Sequence, residues 1–418
     1  MNDFQQLIQA LPQNFEQLAL NCNAFQRARK IKSPLELFKL LMLYCGVDLS
    51  LRSCAGKFAQ TYSSITEEAV KKRLNSCVDW LKILLKEVLS SDNNHTEGDL
   101  RFIAVDGSTI QEPGAKQISY RLHLGIDLLN LSMTDAVVTT DKVGEKLQHY
   151  QLREGNVYVA DRGYSRTQTI MPVVDQGADV IIRYTPNLMS LYSFDASDKK
   201  TKIDWVEQLK KSPYRKQTIE CYMVLGNKRI KGYVHAIPRN TFVAESERRE
   251  RLKEAKRKGS FVKPETLYLL QWMLVFSSIP PNIVDIDQIE NIYKARWQIE
   301  LYIKRLKSLL NIDLLRAKKD SKLAEVYLLG KLLYAVLLES KCKKLYANQV
   351  VTELDCNREL SPWRLIVGVN DLIKSSIIEQ YPINENNIGA SIKSMKERPR
   401  RRKLQCFTDV ILTLIKRN

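Results

Sequence analysis

Phe102-Ile103-Ala104-Val105-Asp106 and Val157-Tyr158-Val159-Ala160-Asp161 govern how this chain is read. Both are apolar runs of β-branched, aromatic and small residues that close on an aspartate, and each reads as a buried strand with a carboxylate at its end. An unpaired carboxylate is too costly to bury without a cation beside it. Two such strand ends brought together therefore point to a shared divalent metal. Around them the pattern continues, with strands at 120–128 and 133–139, a short helix near 146–151, a helix at 166–174 and a strand at 180–182.

That order of three strands, helix, strand, helix and strand predicts an RNase H-like α/β core within a mixed, α+β multidomain chain. Its first part spans 98–185, a β-rich insertion 186–268 and its second part 269–345. Residues 1–97 show apolar positions at three- and four-residue spacing with no strand pattern, which predicts a helical N-terminal DNA-binding domain. Within it Leu51 to Ala59, the break Thr61-Tyr62-Ser63 and a helix opening on Ser64-Ile65-Thr66-Glu67 fit a helix-turn-helix with a capping box. Lys71, Lys72 and Arg73 would then stand near the start of the second helix, within reach of phosphates. A plain helical hairpin with a solvated basic face fits the same residues. The insertion carries strand-like runs at 218–225 and 229–236 and a charged helix at 244–258. Residues 346–418 read as a helical C-terminal region with a basic tail, Arg398-Pro399-Arg400-Arg401-Arg402-Lys403, suited to electrostatic contact with phosphates.

The 65 Lys and Arg outnumber the 47 Asp and Glu and leave a net charge of +18, which favours a polyanionic partner such as nucleic acid. Apolar runs such as Leu40 to Val47 fall short of the ~18 residues of a spanning helix. Met1-Asn2-Asp3-Phe4-Gln5 does not begin a signal peptide, so a cytoplasmic, nucleoid-associated protein is expected. The eight cysteines form no C-x-x-C pair and the four histidines no i,i+4 pair. Neither zinc nor histidine chemistry is indicated, and the carboxylates must carry any reaction.

A third carboxylate comes from a predicted helix over 286–310. At ~100° per residue, Arg296, Glu300 and Lys307 fall within about 60° of Tyr293 on one stripe. Ile292, Ile299, Ile303, Leu306 and Leu310 form a neighbouring apolar stripe, so Glu300 borders a buried face. Among rival acids, Asp127 and Asp135 sit in runs that continue apolar past them, and Asp141 reads as loop. Glu145 reads as a helix N-terminal acid favoured by the dipole, with indirect support of a phosphate ligand or of the metal shell as the other reading.

With these residues in place, the sequence resembles the DDE transposases of the insertion-sequence-four family across nearly its whole length. Val105-Asp106-Gly107-Ser108-Thr109 resembles the first-aspartate motif and Ala160-Asp161-Arg162-Gly163-Tyr164-Ser165 the second. Tyr293, Arg296, Glu300 and Lys307 match the Tyr-Arg-Glu-Lys signature. The resemblance implies cut-and-paste transposition through two Mg²⁺ ions, with Mn²⁺ able to substitute, held by Asp106, Asp161 and Glu300. It also implies phosphate contacts from Tyr293, Arg296 and Lys307, and stacking of Trp272 on a base flipped during hairpin formation; Arg162, next to Asp161, reads as a further phosphate ligand or a counter-charge for the metal carboxylates. Trp272, inside an apolar run, also reads as a packed strand residue. The implied partners are double-stranded DNA bearing terminal inverted repeats, target DNA, and a second copy of the chain in a synaptic complex. A metal-dependent nuclease that cuts without joining, and a DNA-binding regulator that has lost activity, are the alternatives.

Overall fold

The computed structural model describes residues 3–61, 65–91, 100–112, 114–115, 117–347 and 362–378. The basic run at 398–403 lies outside them. Helices come first: α1 (Asp3–Ile8), α2 (Phe15–Asn21), α3 (Pro34–Cys45), α4 (Leu51–Thr61), α5 (Glu67–Asn75) and α6 (Val78–Ser91). α3 starts where the Ser33 hydroxyl accepts the Glu36 amide and Pro34 presets the first turn. Its residues from Leu37 to Cys45 are all buried, because neighbouring helices surround it.

The helix-turn-helix reading needs correction in its details. Thr66 caps α5, its hydroxyl accepting the Ala69 amide at 3.3 Å, and Ser64 lies outside the described residues. Lys72 and Arg73 therefore occupy the last turn of α5 rather than its start. Lys71 and Lys72 are exposed, whereas Arg73 donates to the Arg27 carbonyl at 3.0 Å and serves the fold.

Strands β1 (Arg101–Ile110), β2 (Tyr120–Asp127), β3 (Met133–Thr140), β4 (Asn156–Ala160) and β5 (Asp179–Arg183) follow, with α7 (Thr167–Asp175) between the last two. Next come β6 (Tyr192–Phe194), β7 (Lys200–Lys202), α8 (Trp205–Lys210), β8 (Gln217–Leu225), β9 (Lys228–Pro238), α9 (Thr241–Arg257), α10 (Pro264–Leu269) and β10 (Trp272–Ser277). The described chain then carries α11 (Ile286–Ala295), α12 (Trp297–Leu310), α13 (Lys322–Ala347) and α14 (Pro362–Ile377).

All ten strands form one sheet, in the order β3-β2-β1-β4-β5-β10-β9-β8-β6-β7. β1 pairs antiparallel with β2 and parallel with β4, and β4 runs parallel to β5. β10 joins β5 on one edge and β9 on the other, both antiparallel. The strands of 186–268 thus extend the same sheet, since β10 offers a free edge that β9 satisfies.

Alternation along the strands makes two cores. Phe102, Ala104, Val157 and Val159 face one that also holds residues of α3, α6, α11, α12 and α13. Ile103, Val105, Tyr158 and Ala160 face the other, closed by Ile170, Met171 and Val173 of α7. The N-terminal helices have no core apart from the first of these: Leu40, Trp80 and Leu84 belong to the same cluster as Leu332 and Leu337.

One buried charge locks this arrangement. Lys331 is fully buried in α13, and its ammonium lies 3.1 Å from Asp48 Oδ1 and donates to the Leu310 carbonyl. Tyr327 also donates to Asp48 Oδ1, at 2.8 Å. Burial alone would raise the Asp48 pKa, but Lys331, Tyr327 and Arg316 outweigh it and hold the carboxyl below its ordinary range. Asp48 has a φ of 69°, which asparagine tolerates. Asp48→Asn should destabilise the protein by about 3 kcal/mol near neutral pH, because it leaves a buried ammonium without its counter-charge. A depressed carboxylate pKa contributes stability above its unfolded value and loses it as pH falls through the folded one. Urea unfolding should therefore show the gap from wild type closing as pH drops below the usual carboxylate range.

Candidate active site

β1 and β4 run in parallel register through Ala104 opposite Val159. Two residues further along each strand, Asp106 and Asp161 come level. The expectation that both close their strands holds only for Asp161. β1 continues to Ile110, with Asp106 opposite Leu124 of β2, and what ends beside Asp106 is its pairing with β4. There the chain leaves β4 into a 3-10 turn, Arg162–Tyr164, which Asp161 itself caps by accepting the Gly163 amide at 2.7 Å. Asp106 Oδ1 accepts the Gly107 amide at 2.8 Å. Diverging strands leave an opening with an aspartate on each side.

Above this opening lies the helix that carries the third acid. α11 begins at Asp285, in a reciprocal capping box with Gln288. The single helix expected over 286–310 is interrupted at Arg296, whose amide is shared between the Ile292 and Tyr293 carbonyls at 3.3 and 3.2 Å. That shared bond tightens one turn, yet φ −48° and ψ −32° keep Arg296 helical. Tyr293, Arg296, Glu300 and Lys307 are all half-buried beside the buried Ile292, Ile299, Ile303, Leu306 and Leu310. α12 packs on β1 and β2, and α11 on β4 and β5.

Arg296 organises the charges. Its Nη2 lies 2.5 Å from Glu300 Oε1, and its guanidinium stands 5.8 Å from the Tyr293 ring centre. Burial opposes its charge, but Tyr293, Glu300 and Asp106 together hold its pKa above the ordinary value. Asp106 is pushed up to about 6, first by burial and further by Asp161 and Glu145, against the Gly107 amide and Arg296. Among the described residues no three Asp, Glu, His or Cys side chains stand close enough to make a metal-ligand set, and Glu300 is paired with Arg296. The donor chemistry nonetheless suits a hard cation: the acids facing one another offer only oxygen, and Asp106 is strained as an anion.

The discounted acids are engaged in the fold. Asp127 pairs with Arg101 at 2.7 Å, Asp135 accepts the Gln151 amide at 2.8 Å and Asp141 pairs with Lys319 at 2.8 Å. Glu145 is different and corrects its reading as a helix-start acid. It pairs with Arg121 of β2 at 3.2 Å, and it lies against Gly107 and Gly163, the glycines of both aspartate turns.

A family model described as transposase DDE domain matches residues 97–336, which include all three acids. InsL of insertion sequence element IS186A from Escherichia coli (strain K12) is 30% identical over 343 residues, 78% of this chain and 90% of InsL. The transposase for insertion sequence element IS421 of Escherichia coli is 29% identical over the same length, with the same coverage. The transposase for insertion sequence element IS231B of Bacillus thuringiensis subsp. berliner is 23% identical over 404 residues, 86% of this chain and 83% of that protein. This chain belongs to the DDE transposase family. It is an enzyme acting on DNA, a transposase of insertion sequence elements, in a family whose chemistry depends on divalent metal. None of the described helices is long and apolar enough to cross a membrane.

Two arginines of this transposase escaped the sequence reading. Ile182 pairs with Ala160, so Arg183, the last residue of β5, stands at the level of Asp161. Burial, with Arg239 next and Arg162 behind it, lowers the Arg183 pKa to about 10. Arg239, which pairs with Glu247, follows β9. Arg162 itself is exposed. The apolar run Val180-Ile181-Ile182 closing on Arg183 repeats the pattern of the two aspartate strands with the opposite charge, and that was the available signal. Trp272, at 4% exposure, packs in the second core, while Trp297 beside Arg296 is 52% exposed. Like charges held together at the edge of a core cost stability and favour an anionic ligand. Arg183→Met should therefore leave the melting temperature unchanged or raised while weakening duplex DNA binding. The slope of log K against log salt should become shallower by about 0.9. A lower melting temperature with an unchanged slope would make Arg183 a packing residue.

Proposed function

We propose that this transposase is of the insertion-sequence-four type and moves its element by cut-and-paste, cleaving DNA at the element's ends and joining the freed 3′-OH to target DNA. The observation that carries this reading is the level meeting of Asp106 and Asp161 at the opening between β1 and β4, beneath the helix bearing Glu300. The strand order β3-β2-β1-β4-β5, with three antiparallel strands leading into a parallel run, supports an RNase H-like core. Asp106, Asp161 and Glu300 would hold Mg²⁺, for which Mn²⁺ can substitute. When bound, the metal supplies Lewis acidity and a water or 3′-OH activated for in-line displacement.

The chain's own groups do the rest. To share a metal with the aspartates Glu300 would exchange its contact with Arg296, and a guanidinium so released would be a bidentate phosphate donor beside the reacting strand. Its Nε is buried without a hydrogen-bond partner among the described residues, so it has donor capacity to give. Arg162, Arg183 and Lys307 extend the cationic border along the opening, Tyr293 adds a phenol hydroxyl, and Lys71 and Lys72 offer exposed charge on α5. Inverted-repeat ends are the matching substrate, brought together by two copies of the chain. A hairpin step through Trp272 requires its ring to leave the core it now fills.

Asp106→Asn, Asp161→Asn and Glu300→Gln should each lower strand cleavage by more than about 100-fold, beyond what losing a supporting contact causes, with binding to end oligonucleotides retained. The assay is cleavage and strand transfer on duplexes carrying the element's ends, with Mg²⁺ present. Cleavage without any joining would favour a nuclease. Full activity in any one variant would remove that residue from the site.

A further inference from the structure

Glu145 sits in the connection between β3 and β4, and its carboxylate reaches both aspartate turns. A Cβ added at Gly107 would lie 2.7 Å from Glu145 Oε1. One added at Gly163 would lie 2.9 Å from Glu145 Oε2 and 3.0 Å from Asp161 Oδ1. Neither glycine has a positive φ, so backbone freedom does not explain them. The glycine after Asp106 and the glycine two residues after Asp161 leave the space that one carboxylate fills.

Arg121 holds that carboxylate from the side of β2. Its Nη1 lies 3.2 Å from Glu145 Oε1, and the two side chains are only 23% and 27% exposed. A spacer between two turns needs no charge. A half-buried carboxylate placed beside Asp106 and Asp161, and facing one arginine, is repelled by both aspartates. Such an arrangement costs stability by itself and becomes favourable when a cation is shared.

We propose that Glu145 is a positioning residue of the active site: wedged between the two aspartate turns, it fixes Asp106 and Asp161 against each other and adds the charge that lets them capture a divalent cation. This rests on the reading of Asp106 and Asp161 as cation ligands. It also gives the glycines of the Asp106-Gly107 and Asp161-Arg162-Gly163 motifs a common cause.

The test is Mn²⁺ binding to the full-length protein, followed by calorimetry and by the electron paramagnetic resonance of the free ion, alongside thermal unfolding without metal. Glu145→Gln keeps the shape and removes the charge. It should weaken Mn²⁺ binding by about 10- to 100-fold while the metal-free melting temperature stays the same or rises. Gly107→Ala should weaken binding similarly by displacing the carboxylate. Adding Gly107→Ala to Glu145→Ala should cost little more than Glu145→Ala alone, because the side chain it collides with is gone. Wild-type Mn²⁺ affinity in Glu145→Gln, with Asp106→Asn impaired, overturns the proposal and leaves the aspartates in place. A large drop in the metal-free melting temperature of Glu145→Gln also overturns it, by showing a structural role. Wild-type affinity in Asp106→Asn defeats the reading on which the proposal rests.

Discussion

Repulsion between carboxylates at the end of the β1–β4 pairing is the constraint on which the rest of this transposase depends. Two unit charges ~5 Å apart at an effective dielectric of ~20 repel by about 3 kcal/mol, a large fraction of a domain's net stability. The fold meets that cost with groups that cannot move away. The amides of Gly107 and Gly163 are fixed by backbone geometry, and Arg121 stands on β2. Behind them stand two packed cores, one on each face of the sheet, and Asp106 lies within β1 while Asp161 directly follows β4, strands with neighbours on either side. A site built on loops would relax and spread these charges.

Counter-charge is also supplied in a form that can be exchanged. Arg296 satisfies Glu300 at 2.5 Å and lowers the Asp106 pKa against burial, so one guanidinium serves two acids. Under the proposed reading, a divalent cation would take over both tasks and leave Arg296 free for phosphate. Arg183 adds to this logic from the next strand, where burial first, and Arg239 and Arg162 beside it, lower its pKa against Tyr293 and Glu247. Asp106 and Asp161, where the β1–β4 pairing ends, stand one strand away from Arg183 at the end of β5, with Arg239 just after β9. Metal and nucleic-acid backbone are the natural complements of the two.

Local sequence made part of this visible. The runs ending at Asp106 and Asp161 stand out because a buried strand seldom closes on an acid, and Glu300 stands out because its stripe borders an apolar one. Other features depend on long-range pairing, which local pattern does not encode. Asp106 lies inside a strand because β2 continues to pair beyond β4. The insertion joins the main sheet because β10 has an edge to offer β9. Thr66 rather than Ser64 caps α5, a choice among neighbouring hydroxyls that tertiary packing makes. For Glu145 the sequence left a helix-start acid and an indirect support of the site both open for the same kind of reason: its partners Arg121, Gly107 and Gly163 are distant in sequence. Arg183 was the most readable of the missed residues, since it ends an apolar run at the same register level as Asp161.

The helices of the first hundred residues bear on the same site through a single buried ammonium. Lys331 is bound at once to Asp48, between α3 and α4, and to the carbonyl of Leu310, the last residue of α12. Leu310 ends the helix that carries Glu300 and Lys307. A rigid-body shift of the N-terminal helices relative to α12 would break one of these two bonds in a fully buried place, where an unsatisfied charge is most costly. Exposed Lys71 and Lys72 on α5 are therefore held at a fixed distance from the carboxylates. Under the proposed reading, DNA meeting both regions would have to fit that spacing, which makes the helices part of the catalytic frame rather than a tethered reader.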